Sequence, residues 1–136
     1  MRPVAEIVAD HAKREGPLLP ILHDIQADYG HVSEAAIREI AQLLNLTRAE
    51  VYGVVSFYHD FSATPDPRPV IKLCRAEACQ ARGVEALLPA AHGQERVRID
   101  PVYCLGLCAI GPAALSNGQV YARLDADRLA ALIAAA

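Results

Sequence analysis

Leu73-Cys74-Arg75-Ala76-Glu77-Ala78-Cys79 and Cys104-Leu105-Gly106-Leu107-Cys108-Ala109 hold all four cysteines of the chain. The first pair is spaced C-x4-C, the second C-x3-C, and 24 residues separate the two pairs. Each pair follows a strand-like run. Val70-Ile71-Lys72-Leu73 delivers Cys74, and Arg96-Val97-Arg98-Ile99-Asp100 alternates polar and apolar, as a half-buried strand should, ahead of Cys104. Between them, about Cys79 to Ala91 reads as a helix with Ala81, Val84, Leu87 and Leu88 on its apolar side. Past the second pair, Asn117-Gly118 divides Ala113–Ser116 from Gln119–Ala122. Asn-Gly is a strong hairpin signal, because both residues accept the positive φ of a type I′ turn. Asp125 caps a last helix, Ala126 to Ala134, with Leu129, Leu132 and Ile133 facing inward. The order β-α-β-β-α suits a thioredoxin-like α/β layer, with Pro112 just before the third strand.

Working outward, Thr64-Pro65-Asp66-Pro67-Arg68-Pro69 alternates proline with other residues. Such a run fits neither a helix nor a central strand and reads as a linker. It divides the chain into a helical domain, 1–64, and the cysteine-bearing domain, 65–136. Composition shifts there too: the first part carries a net −4 and the second +1. In the first part, Met1 to Glu15 reads as a helix stopped by Gly16-Pro17, and Pro20 opens a second. Leu18, Leu22, Ile25 and Tyr29 form its stripe, and Gly30 ends it. Ser33 caps a third helix with Ile37, Ile40, Ala41 and Leu44 inward. Thr47 and Glu50 form a capping box for a fourth, running to about Tyr58. The apolar run Val54–Tyr58 predicts burial on several sides.

The bulk numbers exclude some functions. A formal charge of −3 is no footprint for nucleic acid. Near Asn45-Leu46-Thr47 a helix-turn-helix is conceivable, but Arg38 and Arg48 are outweighed by Glu34, Glu39 and Glu50. No apolar run reaches bilayer-spanning length, so no membrane insertion is expected. Met1 to Asp10 has no charged-then-apolar leader, which predicts a cytoplasmic protein. There, paired cysteines are more often metal-binding or catalytic than disulfide-bonded.

Four thiols in two pairs admit several readings. Two disulfides or free thiols are one; a structural zinc site, with these spacings at the loose end of the usual range, is a second. A thioredoxin-type thiol enzyme lacks its C-x-x-C. A 2Fe-2S cluster needs four thiolates, two per iron. Cys74 and Cys79 would serve one iron, Cys104 and Cys108 the other. Gly106 and Gly111 would let the backbone turn closely and aim N–H groups at sulfur. Arg75 would offset part of the cluster charge, and Glu77, if inward, would lower the potential; the bland alternative for both is a solvated loop pair. Rieske-type centres use histidine, but His11, His23, His31, His59 and His92 all lie outside the cysteine loops. His59 reads as a contact or interface residue and His92 as surface.

These residues carry a resemblance covering nearly the whole chain. Leu19-Pro20-Ile21-Leu22, Gln26-Ala27-Asp28-Tyr29-Gly30, Val51-Tyr52-Gly53-Val54-Val55-Ser56-Phe57-Tyr58 and both cysteine loops resemble the small 2Fe-2S subunit of respiratory complex I and its relatives. Among these, Arg75-Ala76-Glu77-Ala78, Phe57-Tyr58-His59-Asp60-Phe61, the short interval between the cysteine pairs, and Ala109-Ile110-Gly111-Pro112 look most like the gamma-subunit branch of soluble NAD-dependent formate dehydrogenases. The resemblance implies an N-terminal helical bundle followed by a thioredoxin-like 2Fe-2S ferredoxin domain. Cys74, Cys79, Cys104 and Cys108 would ligate one cluster. The chain would carry electrons beside a flavin- and NAD-binding iron–sulfur subunit, with a molybdenum-containing subunit oxidising formate to carbon dioxide in the same complex. FMN, NAD and molybdenum cofactor would sit on those partners, and no catalytic site is expected here. Equivalent subunits of complex I or an NAD-linked hydrogenase are the alternative reading; a zinc-stabilised interaction module is the one from a different class.

Overall fold

A computed structural model describes residues 1–136 as two compact units, Met1–Pro67 and Arg68–Ala136. The first holds four helices: α1 (Val4–Asp10), α2 (Leu18–Tyr29), α3 (Glu34–Leu44) and α4 (Arg48–Phe57). Their apolar stripes meet in one cluster, in which Ile7, Ile21, Leu22, Ile25, Val32, Ile40 and Val51 are fully buried. The capping chemistry is in place. Ser33 accepts from the Ala36 N–H, Thr47 and Glu50 bond reciprocally, and Gly30 closes α2 at φ 74°.

Three helical expectations need correction. α1 spans Val4–Asp10, not Met1–Glu15. The following Lys13-Arg14-Glu15-Gly16 offers no apolar side chain to bury, so tertiary packing has nothing with which to extend the helix. α2 starts at Leu18 rather than Pro20. Pro20 falls in its first turn, where the missing N–H would have had no intrahelical partner anyway. The apolar end of α4 is not buried all round. Val51 and Val55, four apart, face the core, while Phe57 is 75 % exposed and Tyr58 41 %. A rotation of about 100° per residue carries Phe57 off the inward face, and the helix stops there.

The second unit is a four-stranded sheet of order β2-β1-β3-β4. The strands are β1 (Val70–Cys74), β2 (Arg98–Val102), β3 (Ala114–Ser116) and β4 (Gln119–Tyr121). β2 runs parallel to β1; β3 and β4 are antiparallel to their neighbours. As Asn-Gly predicts, Asn117 and Gly118 take φ 50° and 75° in the β3–β4 turn. Asp125 caps α7 (Ala126–Ala135) by accepting from the Arg128 N–H at 2.8 Å. The peptide between Gly111 and Pro112, just before β3, is cis.

The β1–β2 crossover is not one helix from Cys79 to Ala91. It is α5 (Glu77–Ala81), a 3-10 turn (Val84–Leu87) and α6 (Leu88–His92). Gly83, at φ 92°, breaks the run, since a left-handed residue cannot continue a right-handed helix. β2 begins two residues later than the alternation at Arg96 predicts. The Gln94 side chain holds both the N–H and the C=O of Val97, fixing 94–97 as a turn. No helix of the protein is long and apolar enough to cross a membrane.

Candidate metal centre

Parallel pairing of β1 and β2 puts the two cysteine loops at the same end of the sheet. Cys74 ends β1 in register with Val102, the last residue of β2, and Cys104 follows two residues later. The Arg75 N–H bonds the Val102 carbonyl at 2.8 Å, clamping the two strand ends together. Cys79 sits on α5, which packs against the short 3-10 turn Cys108–Ile110 that begins with Cys108. Thus a strand end, a helix, a loop and the start of a 3-10 turn each supply one thiol.

The pairs differ in exposure. Cys74 and Cys79 are 2 % and 3 % exposed; Cys104 and Cys108 face solvent. Cys104 Sγ and Cys108 Sγ stand 3.6 Å apart. Two thiolates on one tetrahedral metal, with bonds of about 2.3 Å, lie roughly 3.7–3.8 Å apart, so this pair needs little movement to share a metal. Cys74 and Cys79 are likewise within side-chain hydrogen-bonding reach of one another. No three His, Cys, Asp or Glu side chains converge on a single point where one metal ion would sit.

Backbone donors converge on sulfur. The Cys104 N–H reaches Cys74 Sγ at 3.3 Å, and the Gly106 N–H reaches Cys104 Sγ at 3.4 Å. Burial pushes the Cys74 thiol up, but N–H groups of Ala76, Cys104 and Leu105 and the Cys79 thiol together hold it below the ordinary thiol value. Burial, and a shared hydrogen bond whose proton Cys79 keeps while Cys74 ionises, push Cys79 up against the Ala113 N–H. Its bond to Cys104, then the charge of that neighbour, pushes Cys108 up as well. Cys74 therefore ionises ahead of Cys79. Since the thiolate is the metal ligand, donors that favour it also suit a metal-bound sulfur.

The two loop glycines act differently. Gly106, at φ 78°, supplies the expected tight turn and N–H. Gly111 has an ordinary φ of −65° and instead permits close approach: a Cβ there would lie 2.9 Å from Cys79 Sγ. The sequence pointed to Gly111 but not to this reason.

Other candidate roles shift. Arg75 is not paired with Glu77; its guanidinium forks onto Glu85 at 3.2 and 3.0 Å. Glu77 lies exposed in the first turn of α5, so the route by which an inward Glu77 would lower the potential is not built. Ala113 was missed. Its carbonyl takes the Cys74 N–H at 2.9 Å and its N–H bonds Cys79, linking both buried cysteines to the start of β3. Only the backbone contributes, and backbone contacts leave no signature in residue type. His11 is buried against Asp24, His23 packs on Phe61, and His31 bonds the Tyr29 carbonyl, all in the first unit. His59 and His92 are exposed. A groove of about 400 Å³ in the second unit lies between Tyr121 on β4 and Arg128 and Leu132 on α7. No cysteine lines it, and a cluster requires converging thiolates rather than a cavity.

The chain matches the family model "Thioredoxin-like [2Fe-2S] ferredoxin" over residues 4–136. It is 26 % identical to the NADP-reducing hydrogenase subunit HndA of Solidesulfovibrio fructosivorans, covering 98 % of this chain and 84 % of that one. It is 30 % identical to NADH-quinone oxidoreductase subunit 2 of Thermus thermophilus, over 89 % and 74 %. Among solved structures, an air-oxidised NAD+-reducing [NiFe]-hydrogenase aligns with a TM-score of 0.69 and 33 % identity over 86 % of this chain. The chain spans only 22 % of that hydrogenase chain. Four thiols in two contacting pairs, with N–H groups aimed at sulfur, fit the group that the family implies, one 2Fe-2S cluster. Over nearly its whole length this chain belongs to the thioredoxin-like [2Fe-2S] ferredoxin family.

Proposed function

We propose that Cys74, Cys79, Cys104 and Cys108 ligate the single 2Fe-2S cluster, and that the chain is a one-electron carrier beside a flavin- and NAD-binding subunit of a multisubunit oxidoreductase. The observation that carries this is the meeting of the two thiol pairs at one end of the β1–β2 ladder, the exposed pair already 3.6 Å apart. Bound there, the cluster supplies one-electron storage. The chain's own residues hold the sulfurs, donate N–H groups to them, and cover one pair with the sheet and α5. Half-buried Leu105 and Leu107 add apolar cover. The 1–64 and 65–136 division assigns the cluster to the second domain and leaves the helical domain for partner contact.

The parent complex we favour is a cytoplasmic NAD-dependent formate dehydrogenase, in which a molybdenum-containing subunit oxidises formate and FMN and NAD lie on the flavin subunit. The wording of the first cysteine loop, Arg75-Ala76-Glu77-Ala78, supports it. The likeness to subunits of a hydrogenase and of NADH-quinone oxidoreductase gives equal support to a place in those complexes.

Anaerobic purification of the chain tests the cluster: about two irons per chain and a rhombic EPR signal on reduction are expected. Stoichiometric zinc without iron would replace the carrier by a zinc-stabilised interaction module. Native co-purification tests the complex. A flavoprotein with molybdenum supports formate; nickel indicates hydrogen, and a set of membrane subunits indicates quinone.

A further inference from the structure

We infer that in the cluster-free chain Cys104 and Cys108 form a two-electron modification site: a disulfide oxidant such as glutathione disulfide closes them into an intramolecular disulfide, leaving Cys74 and Cys79 as thiols and blocking cluster insertion until a dithiol reverses it. This builds on the ligand assignment above and adds a second chemistry for half of the ligands.

Three features select this pair. The first is access. Both sulfurs face solvent, whereas Cys74 and Cys79 are 2 % and 3 % exposed, and exchange requires that an oxidant reach the attacking sulfur. The second is proximity. At 3.6 Å the two sulfurs are in contact, and a disulfide of about 2.05 Å calls for a local adjustment rather than a rearrangement. The third is the backbone between them. Gly106, at φ 78° with nothing within 4 Å of where its Cβ would be, is the residue able to take up that adjustment.

The chemistry balances. The thiolate of one cysteine attacks a sulfur of glutathione disulfide and expels one glutathione thiolate, leaving a mixed disulfide. The second cysteine, deprotonated, attacks the protein sulfur of that bond and expels the other glutathione. Two electrons and two protons pass from the pair to the oxidant, giving one protein disulfide and two glutathione thiols. The product withdraws both thiolates of one iron from the ligand set.

The test uses the full chain, freed of metal by a chelator and fully reduced, then treated with glutathione disulfide, alkylated and digested without reductant. The expected result is a peptide carrying Cys104 and Cys108 that has lost two hydrogens and resists alkylation, with Cys74 and Cys79 both alkylated. Cys108→Ser should instead hold a stable glutathione adduct on Cys104. Oxidised chain offered ferrous iron and sulfide should develop no cluster absorbance, and prior treatment with dithiothreitol should restore uptake. Four alkylated thiols, or Cys74 and Cys79 oxidised as fast as the exposed pair, would overturn the inference. Failure of the reduced chain to take up iron would count against the cluster assignment while leaving the disulfide result standing.

Discussion

The Cys104 N–H donates to Cys74 Sγ across 3.3 Å, from a residue held at φ 88°. A left-handed, non-glycine residue costs on the order of 1–3 kcal/mol and persists only where its surroundings over-determine it. Here the parallel ladder fixes Val102 opposite Cys74, and the turn at Cys104 aims its N–H at the sulfur. The strain therefore lies on the link sulfur placement needs, between the strand end and the second cysteine loop.

Replacing each cysteine by serine should lose or weaken the cluster, measured as iron per chain. Stability of the metal-free variants should split by burial. Cys74→Ser and Cys79→Ser put a hydroxyl into an apolar cluster and should cost about 1–3 kcal/mol. At the exposed positions, Cys104→Ser and Cys108→Ser should stay within roughly 0.5 kcal/mol of the parent. Full iron retention in any one variant removes that residue from the ligand set.

Gly111→Ala tests close approach without replacing a ligand. The new methyl would meet Cys79 Sγ at 2.9 Å, and Cys79 is on α5 with little room to retreat. Overpacking of this kind costs about 1–3 kcal/mol. Because the clash is at the sulfur, iron content should fall along with the thermal midpoint. A variant with parental iron and an unchanged midpoint would show that the loop yields freely.

Some of this was legible beforehand, for physical reasons. The hairpin at Asn117-Gly118 and the caps at Ser33, Thr47 and Asp125 are local chemistry, which short sequence windows record well. The two cysteine loops were visible as spacing, but their meeting depends on β1 and β2 pairing in parallel, a contact between distant segments. The apolar stripe runs on across Gly83 and so conceals the interruption there. Phe57 and Tyr58 looked like core because they are apolar, yet composition alone does not report which side of a helix turns inward. Glu85 as partner of Arg75 and Ala113 as backbone partner of two cysteines emerge only once the chain is folded.

α4 supplies the contrast to Gly111. Gly53 lies mid-helix and exposed, with ordinary φ and nothing within 4 Å of where a Cβ would stand. Gly53→Ala should therefore stabilise the chain by about 0.5–1 kcal/mol, chiefly by reducing the freedom of the unfolded backbone. Thermal or urea unfolding reads this directly. A loss of stability would mean that the open space beside Gly53 is used by the folded chain.

Asp24 gives the first unit a pH dependence. Its carboxylate accepts from the buried His11 at 2.8 Å, and this bond, opposed by burial and aided by the charges of His11, Arg2 and Arg14, holds Asp24 below its ordinary value of 3.8. The folded chain therefore binds fewer protons there than the unfolded chain, so stability rises with pH in that window. The contribution is complete above about 3.8 and is lost as pH falls through the lower, folded value. With the Asp24 side chain 39 % exposed, solvent screening keeps this charge-linked part under about 1 kcal/mol. Asp24→Asn should remove it, so urea midpoints of parent and variant should differ at pH 7 and converge below the folded value. Asp24→Ala should cost more, about 1–3 kcal/mol, because His11 Nδ1 is already buried without a partner and Nε2 would join it. A parent-to-Asn difference that stays constant from neutral to acid pH would refute the linkage.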